Sequence, residues 1–197
     1  MKILRLKNID KPYFNLREFA RVMNISLPSA KVAASRYAKS GLLIRLKRDL
    51  YVLADQWNHL SIETKFQFAN LIQSPSYVSL LSALSYYQIS TQIQQEFIES
   101  IAIKRTRRVT VENTVFNYSK IKKDLYFGFQ RSGQFFIAEP EKALLDALYL
   151  MSLKRYTLDL DAIDFDRLNW NKVKDMLTKF PTSVEKMVLQ YEPARTT

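Results

Sequence analysis

The sequence predicts an α+β protein, and three observations predict it. Apolar residues recur at helical spacing through residues 16–40, alternate with period two between residues 97 and 137, and return to helical spacing from residue 139 onward. Positive charge gathers at one end: residues 1–54 hold 12 Lys and Arg against 3 Asp and Glu, a net charge of +9, whereas residues 55–197 hold 18 against 16. The polar stretch 55–61 is the natural boundary. It separates an amino-terminal module, 1–54, from a domain, 55–197, expected to combine helices with an antiparallel sheet.

Residues 3–9 read as either a helix or a strand, and a helix is expected. Asn15 is a natural N-cap for a helix over 16–23, with Glu18 placed to complete a capping box. Leu16, Phe19, Ala20 and Met23 form its apolar face. Residues 24–27 make a turn. Pro28 opens a second helix, where its fixed φ suits the first turn, and that helix ends at Gly41. In it Ala30, Ala33, Ala34 and Tyr37 make a small-residue face that permits close packing. Ser29, Lys31, Val32, Ser35, Arg36 and Lys39 are left on the other side. Residues 42–46 and 50–53 read as two strands with Lys47-Arg48-Asp49 at the tip.

Helix, turn, helix and basic hairpin together make a winged helix-turn-helix. One face of its second helix packs and the other offers short donors and long cations to a groove; the hairpin tip reaches the backbone or minor groove. The expected partner is double-stranded promoter DNA, with Ser29, Lys31, Ser35, Arg36, Lys39, Arg45, Lys47 and Arg48 as the DNA-binding residues. RNA is disfavoured, because no exposed aromatic pair of the kind that stacks unpaired bases is evident. The plainer alternative is a helical pair and hairpin whose charges form a solvated face.

Beyond the boundary, residues 61–74 read as a helix broken by Pro75, and 80–88 as a second short helix introduced by Ser76-Tyr77-Val78-Ser79. Strands are expected near 97–104, 114–118, 125–130 and 134–137, the last two joined through Gly133. Glu139-Pro140-Glu141 starts an amphipathic helix with Ala143, Leu144, Ala147, Leu148 and Met151 inside, and 170–180 and 182–190 are further helices.

Lys104, Arg105, Arg107 and Arg108, with Lys120, Lys122 and Lys123, form a second basic patch. It reads equally as a nucleic-acid or acidic-partner site and as a solvated strand end. Asp159, Asp161, Asp164 and Asp166 invite a metal reading, but the run lacks the glycine and terminal Glu of a calcium loop and reads better as a solvated helix start. Glu139 and Glu141 complement a helix dipole, and no partner for Asp146 is evident.

With no Cys, a single His (His59) and only three Gly, the chain has no thiolate chemistry, Cys-based zinc site, His-centred triad or phosphate-binding glycine loop. No catalytic residue, metal or cofactor is expected. The first residues carry charge without an uninterrupted apolar run, and no segment approaches the ~18 apolar residues of a membrane span, so a cytoplasmic protein without a membrane partner is expected.

On these residues the chain resembles the AbiE-type antitoxin family, transcriptional regulators of phage-defence systems. Residues 14–53 look like the family's amino-terminal domain. Tyr77-Val78-Ser79-Leu80-Leu81-Ser82-Ala83-Leu84-Ser85-Tyr86-Tyr87 is similar to its "yiS..SALyyhG" segment. Ile137-Ala138-Glu139-Pro140-Glu141-Lys142-Ala143-Leu144-Leu145-Asp146 is similar to its "iA.pEKaLlD" helix start, the most specific of the three matches. The hairpin tip departs: relatives often carry Arg-Gly where this chain has Arg48-Asp49. The resemblance implies DNA-binding autorepression together with neutralisation of a nucleotidyltransferase-like toxin by the carboxyl-terminal domain. Two alternatives stand beside it: a winged regulator whose second domain binds an effector or dimerises without a toxin, and a nucleic-acid-processing enzyme.

Overall fold

The computed structural model describes residues 2–191 and divides the chain into two compact units, 1–68 and 69–197. It is a mixed α+β protein. The first unit continues past the polar stretch to Phe68, because Trp57 stacks on the Phe68 ring (centroids 6.1 Å apart) and Tyr13 meets that ring edge-on. Its elements are a 3-10 segment (Lys2–Asn8), α1 (Leu16–Met23), α2 (Leu27–Lys39), and the antiparallel hairpin β1 (Leu43–Lys47) and β2 (Leu50–Leu53). A further 3-10 segment (Ala54–His59) leads into α3 (Ile62–Ile72).

The local rules that start and stop α1 and α2 are visible. Asn15 accepts a hydrogen bond from the Glu18 amide and Glu18 accepts one from the Asn15 amide, a complete capping box. Ser26 caps α2, so the helix begins at Leu27 with Pro28 inside its first turn. At its end Gly41 takes φ +72°, and the Leu42 and Gly41 amides turn back to the Tyr37 and Ala38 carbonyls. The core of this unit is aromatic. Phe14 stacks on Phe19 and Tyr51, and Ala30 and Ala34, both fully buried, form the small-residue face of α2. Phe14 also exchanges both backbone hydrogen bonds with Tyr51, adding a one-residue third strand to the hairpin.

The second unit is built on a six-stranded sheet in the order β5-β6-β4-β3-β8-β7. The strands are β3 (Ser76–Val78), β4 (Phe97–Ala102), β5 (Arg107–Val111), β6 (Thr114–Lys120), β7 (Phe129–Ser132) and β8 (Phe135–Ala138). The expected antiparallel sheet is in fact mixed, since β4 pairs parallel with β6 and β3 parallel with β8. Period-two alternation assigns side chains to faces; it says nothing of which neighbour a strand finds or in which direction it runs. Strand β5 was not expected, because four cations in residues 104–108 mask its alternation. The segment expected as a strand at 125–130 begins as a 3-10 turn (Lys123–Leu125) and becomes a strand only at Phe129. Ser76–Val78, read as the approach to a helix, is a central strand.

Helices α4 (Leu80–Tyr86), α5 (Pro140–Ser152), α6 (Trp170–Leu177) and α7 (Thr182–Val188) complete this unit, with α5 in the middle, packed on the other three. The expectation of a one-sided amphipathic helix is corrected here. Every residue of α5 from Glu141 to Leu150 is buried, so it is covered all round. Among the described residues no helix is long and apolar enough to cross a membrane.

Candidate nucleic-acid interface

The packing of α2 on α1 decides which side chains remain outside. With Ala30 and Ala34 turned inward, Ser29, Lys31, Ser35, Arg36 and Lys39 are all exposed on the remaining surface of the helix. Val32, 69% exposed, stands among them. On β1 the burial alternates, Leu46 inward and Arg45 and Lys47 outward, and Arg48 is exposed at the tip. All eight residues expected to face a nucleic acid therefore lie on the surface of the first unit. Arg36 lies over the neighbouring Tyr37 ring, 5.6 Å from its centroid, and the Arg45 Nε donates to the Lys47 carbonyl (3.3 Å).

The unusual tip residue has a structural reason. Asp49 sits at φ +61°, the left-handed region that glycine usually occupies, and its Oδ1 accepts a hydrogen bond from the Leu16 amide (2.8 Å). Leu16 is the first residue of α1, so its N–H has no partner within the helix. Glycine would give the backbone freedom without that acceptor.

The second basic patch is only partly brought together. Lys120 lies beside the 104–108 run, its amide donating to Thr106 Oγ1 and its carbonyl accepting from Arg155. Lys122 and Lys123 are exposed in the turn that follows. Arg107 and Arg108 are neighbours on β5 and point to opposite faces of the sheet, so they cannot share one partner surface. Lys104 donates to the Ser74 carbonyl, and the Arg105 carbonyl accepts from Gln73. Cations on an edge strand also discourage edge-to-edge pairing.

Three of the carboxylates named in the sequence, Glu139, Glu141 and Asp159, have structural partners. Glu139 pairs with Lys172 (3.1 Å), and Glu141 accepts the Asn169 amide at the start of α6. Asp159 accepts the Asp161 amide and a bond from Gln92. Among the described residues no three His, Cys, Asp or Glu side chains are arranged to hold a metal ion. His59 is exposed.

Sequence reasoning missed a polar knot in the second core. Lys142 and Asp146, one helical turn apart on α5, form a fully buried ion pair. Lys142 Nζ donates to Tyr77 OH (3.0 Å), Tyr77 OH donates to Asp146 Oδ2 (3.0 Å), and Ser79 Oγ donates to the same oxygen (2.8 Å). The ammonium also lies between 5.1 and 5.5 Å from the centroids of Phe127, Phe180 and Tyr77. Gly128, at φ +66°, leaves room for the Lys142 stem: a Cβ there would come within 3.0 Å of Lys142 Cγ. Burial pushes the Asp146 pKa up and the Lys142 pKa down, each opposed by the other's charge. Residues 77–87 and 137–146 thus meet in this knot. The sequence signal was the i, i+4 spacing of opposite charges inside an otherwise apolar helix.

Comparison with family models and with curated proteins finds no match to this chain.

Proposed function

We propose that the first unit is a winged helix-turn-helix that binds double-stranded promoter DNA, with α2 as its recognition helix and β1–β2 as its wing. The observation that supports it is the sorting of α2: the alanine face is sealed in the core while Ser29, Lys31, Ser35, Arg36 and Lys39 are all exposed. The hairpin adds Arg45, Lys47 and Arg48, and the net charge of +9 on residues 1–54 favours a phosphate backbone. The resemblance to AbiE-type antitoxins extends the reading. The chain would repress its own promoter and, through its second unit, counteract a nucleotidyltransferase-like toxin without itself being an enzyme.

Gel-shift titration of the full-length protein against the DNA upstream of its own gene, at a series of salt concentrations, tests the first half. Binding whose affinity falls steeply with salt supports the reading; absence of a complex at low salt overturns it. Co-expression with a nucleotidyltransferase encoded beside the gene tests the second half, rescue of growth being the expected result.

A further inference from the structure

The second unit contains a cleft of about 530 Å³, within the range of small-molecule sites. Its floor is a row of side chains across three strands. In register, Glu99 on β4 lies beside Asn117 on β6, and Asn117 beside Arg108 on β5. One step along β4, Phe97 presents its ring, and the Arg108 guanidinium lies over it, 5.4 Å from the centroid. The chain leaving α5 makes the wall, through Lys154 and Tyr156.

Two pairs of cleft residues bond each other, Tyr156 with Glu99 and Gln92 with Asp159, and three features point beyond those contacts. Neither Arg108 nor Lys154 forms an ion pair among the described residues; the carboxylates that also line the cleft, Glu99 and Asp159, are engaged by Tyr156 and Gln92 instead. Gln94 Oε1, also at the cleft, is buried with no hydrogen-bond partner among the described residues, and such an acceptor calls for a donor. Lys154 occupies the residue just past the end of α5 at φ +56°, where the Lys154 and Arg155 amides return to the Met151 and Leu150 carbonyls. This is the glycine position of a helix C-terminus, and a lysine there carries backbone strain that the cap itself does not require.

The chemistry selects a ligand. Two cations without an ion-pair partner call for an anion, the Phe97 ring keeps the Arg108 guanidinium in place at the rim, and the polar floor beside them suits the edge of a heterocycle. Gln94 Oε1, the buried carboxyl of Glu99 and the carboxamide of Asn117 suit the N–H and carbonyl edge of such a ring. A small carboxylate would satisfy the cations and leave Gln94 Oε1 without a donor. We propose that this cleft binds a mononucleotide, its phosphate held by Arg108 and Lys154 and its base directed to the polar floor. The site lies wholly within the second unit, and the inference does not rest on the DNA reading.

Isothermal titration of the full-length protein with AMP, GMP, CMP and UMP separately, and with inorganic phosphate, tests it. Saturable binding of at least one nucleotide is expected at a Kd below about 1 mM, and weaker binding of phosphate alone. Arg108→Ala and Lys154→Gly should each weaken that binding about tenfold or more, the loss of one charge-assisted contact. Lys154→Gly also relieves the positive φ, so its thermal midpoint should hold or rise while affinity falls, which separates lost binding from lost folding. If no nucleotide binds at 1 mM, or both variants bind as the parent does, the proposal fails. Phosphate binding as tightly as every nucleotide would overturn the nucleotide assignment and leave an anion site alone. A 5′-phosphorylated dinucleotide titrated in parallel distinguishes a free nucleotide from a strand terminus, and exclusive binding of the dinucleotide would overturn the mononucleotide.

Discussion

Asp49, at the tip of the β1–β2 hairpin, holds the first amide of α1 through a hydrogen bond to Leu16, 33 residues earlier in the chain. The hairpin and the start of the helix are thereby fixed to one another by a residue whose backbone also makes the turn. Two requirements fall on one side chain, and substitutions separate them. Asp49→Asn keeps an acceptor and tolerates positive φ, and should cost less than about 0.5 kcal/mol. Asp49→Gly keeps the turn and loses the acceptor. Asp49→Ala loses both and should be the least stable, by about 1–2 kcal/mol in urea denaturation. Equal midpoints for the three variants would show that the tip does not restrain α1.

Salt dependence tests the proposed contact of the first unit with a phosphate backbone. If the proposed recognition helix and wing contact ~4–6 phosphates per subunit, log affinity should fall against log salt with a slope of roughly −4 to −5. Lys47→Ala with Arg48→Ala should weaken binding to every sequence and flatten that slope. Arg36→Ala, at the middle of the exposed face of α2, should instead cost about 1–3 kcal/mol at one operator position and relax preference there. Equal losses on specific and random DNA would make Arg36 a phosphate contact only.

The buried Lys142–Asp146 pair should be far more sensitive to losing one partner than to losing both. Asp146→Asn leaves an ammonium in the core, and Lys142→Met leaves a carboxylate there with only Tyr77 and Ser79 as donors. Each should cost about 3–5 kcal/mol, whereas Lys142→Met combined with Asp146→Asn should recover part of that loss. Denaturant midpoints of the three variants measure the coupling directly, and additive losses would show the two groups to be independent.

Glu99 gives the second unit a pH signature. Burial raises its carboxyl from 4.5 to about 7, against the opposing effect of hydrogen bonds from Tyr156 OH (2.9 Å) and from the Leu81 and Ser82 amides. Because the folded pKa exceeds the unfolded one, the folded state binds the extra proton between pH 4.5 and about 7. Stability from this group is therefore complete below pH 4.5, falls as pH rises through that window, and levels off above it. The change is on the order of 3 kcal/mol. Glu99→Gln should remove the decline, so that its stability relative to the parent improves between pH 5 and pH 8. Parallel stability curves for the two proteins would show that Glu99 titrates normally.

What was legible in the sequence was local. Asn15 and Glu18, Pro28 and Gly41 announce helix ends through short-range geometry, and the alanines of α2 announce its buried face. What was not legible depends on distant partners. Asp49 looked like a departure until Leu16 came beside it, and Asp146 looked solitary until β3 and the residue after it delivered Tyr77 and Ser79. The cleft was hidden for the same reason. Glu99, Asn117 and Arg108 adjoin only because β6 lies between β4 and β5, an order that no period in the sequence encodes.

The two proposed activities should separate along the chain, because net charge is +9 on residues 1–54 and only +2 on residues 55–197. A contact with an acidic toxin surface, or with the nucleic acid that a toxin modifies, would have to use the exposed cations of the second unit. Arg108 faces the cleft and Lys104 is tied to the Ser74 carbonyl; of the patch's five other cations, the test takes Arg105, Lys122 and Lys123 together with the half-buried Arg107, on the opposite face of β5. Replacing these four by Glu should abolish protection from the cognate toxin in a growth assay, while promoter binding by gel shift persists. Changes at Arg36 and Lys47 should do the reverse, releasing repression and leaving protection intact. Keeping Arg108 in the charge-reversed protein ensures that a loss of protection does not come from the cleft. If that protein retains the parent circular dichroism spectrum and still protects, the patch is a solvated strand end whose cations serve only to keep an exposed sheet edge from pairing.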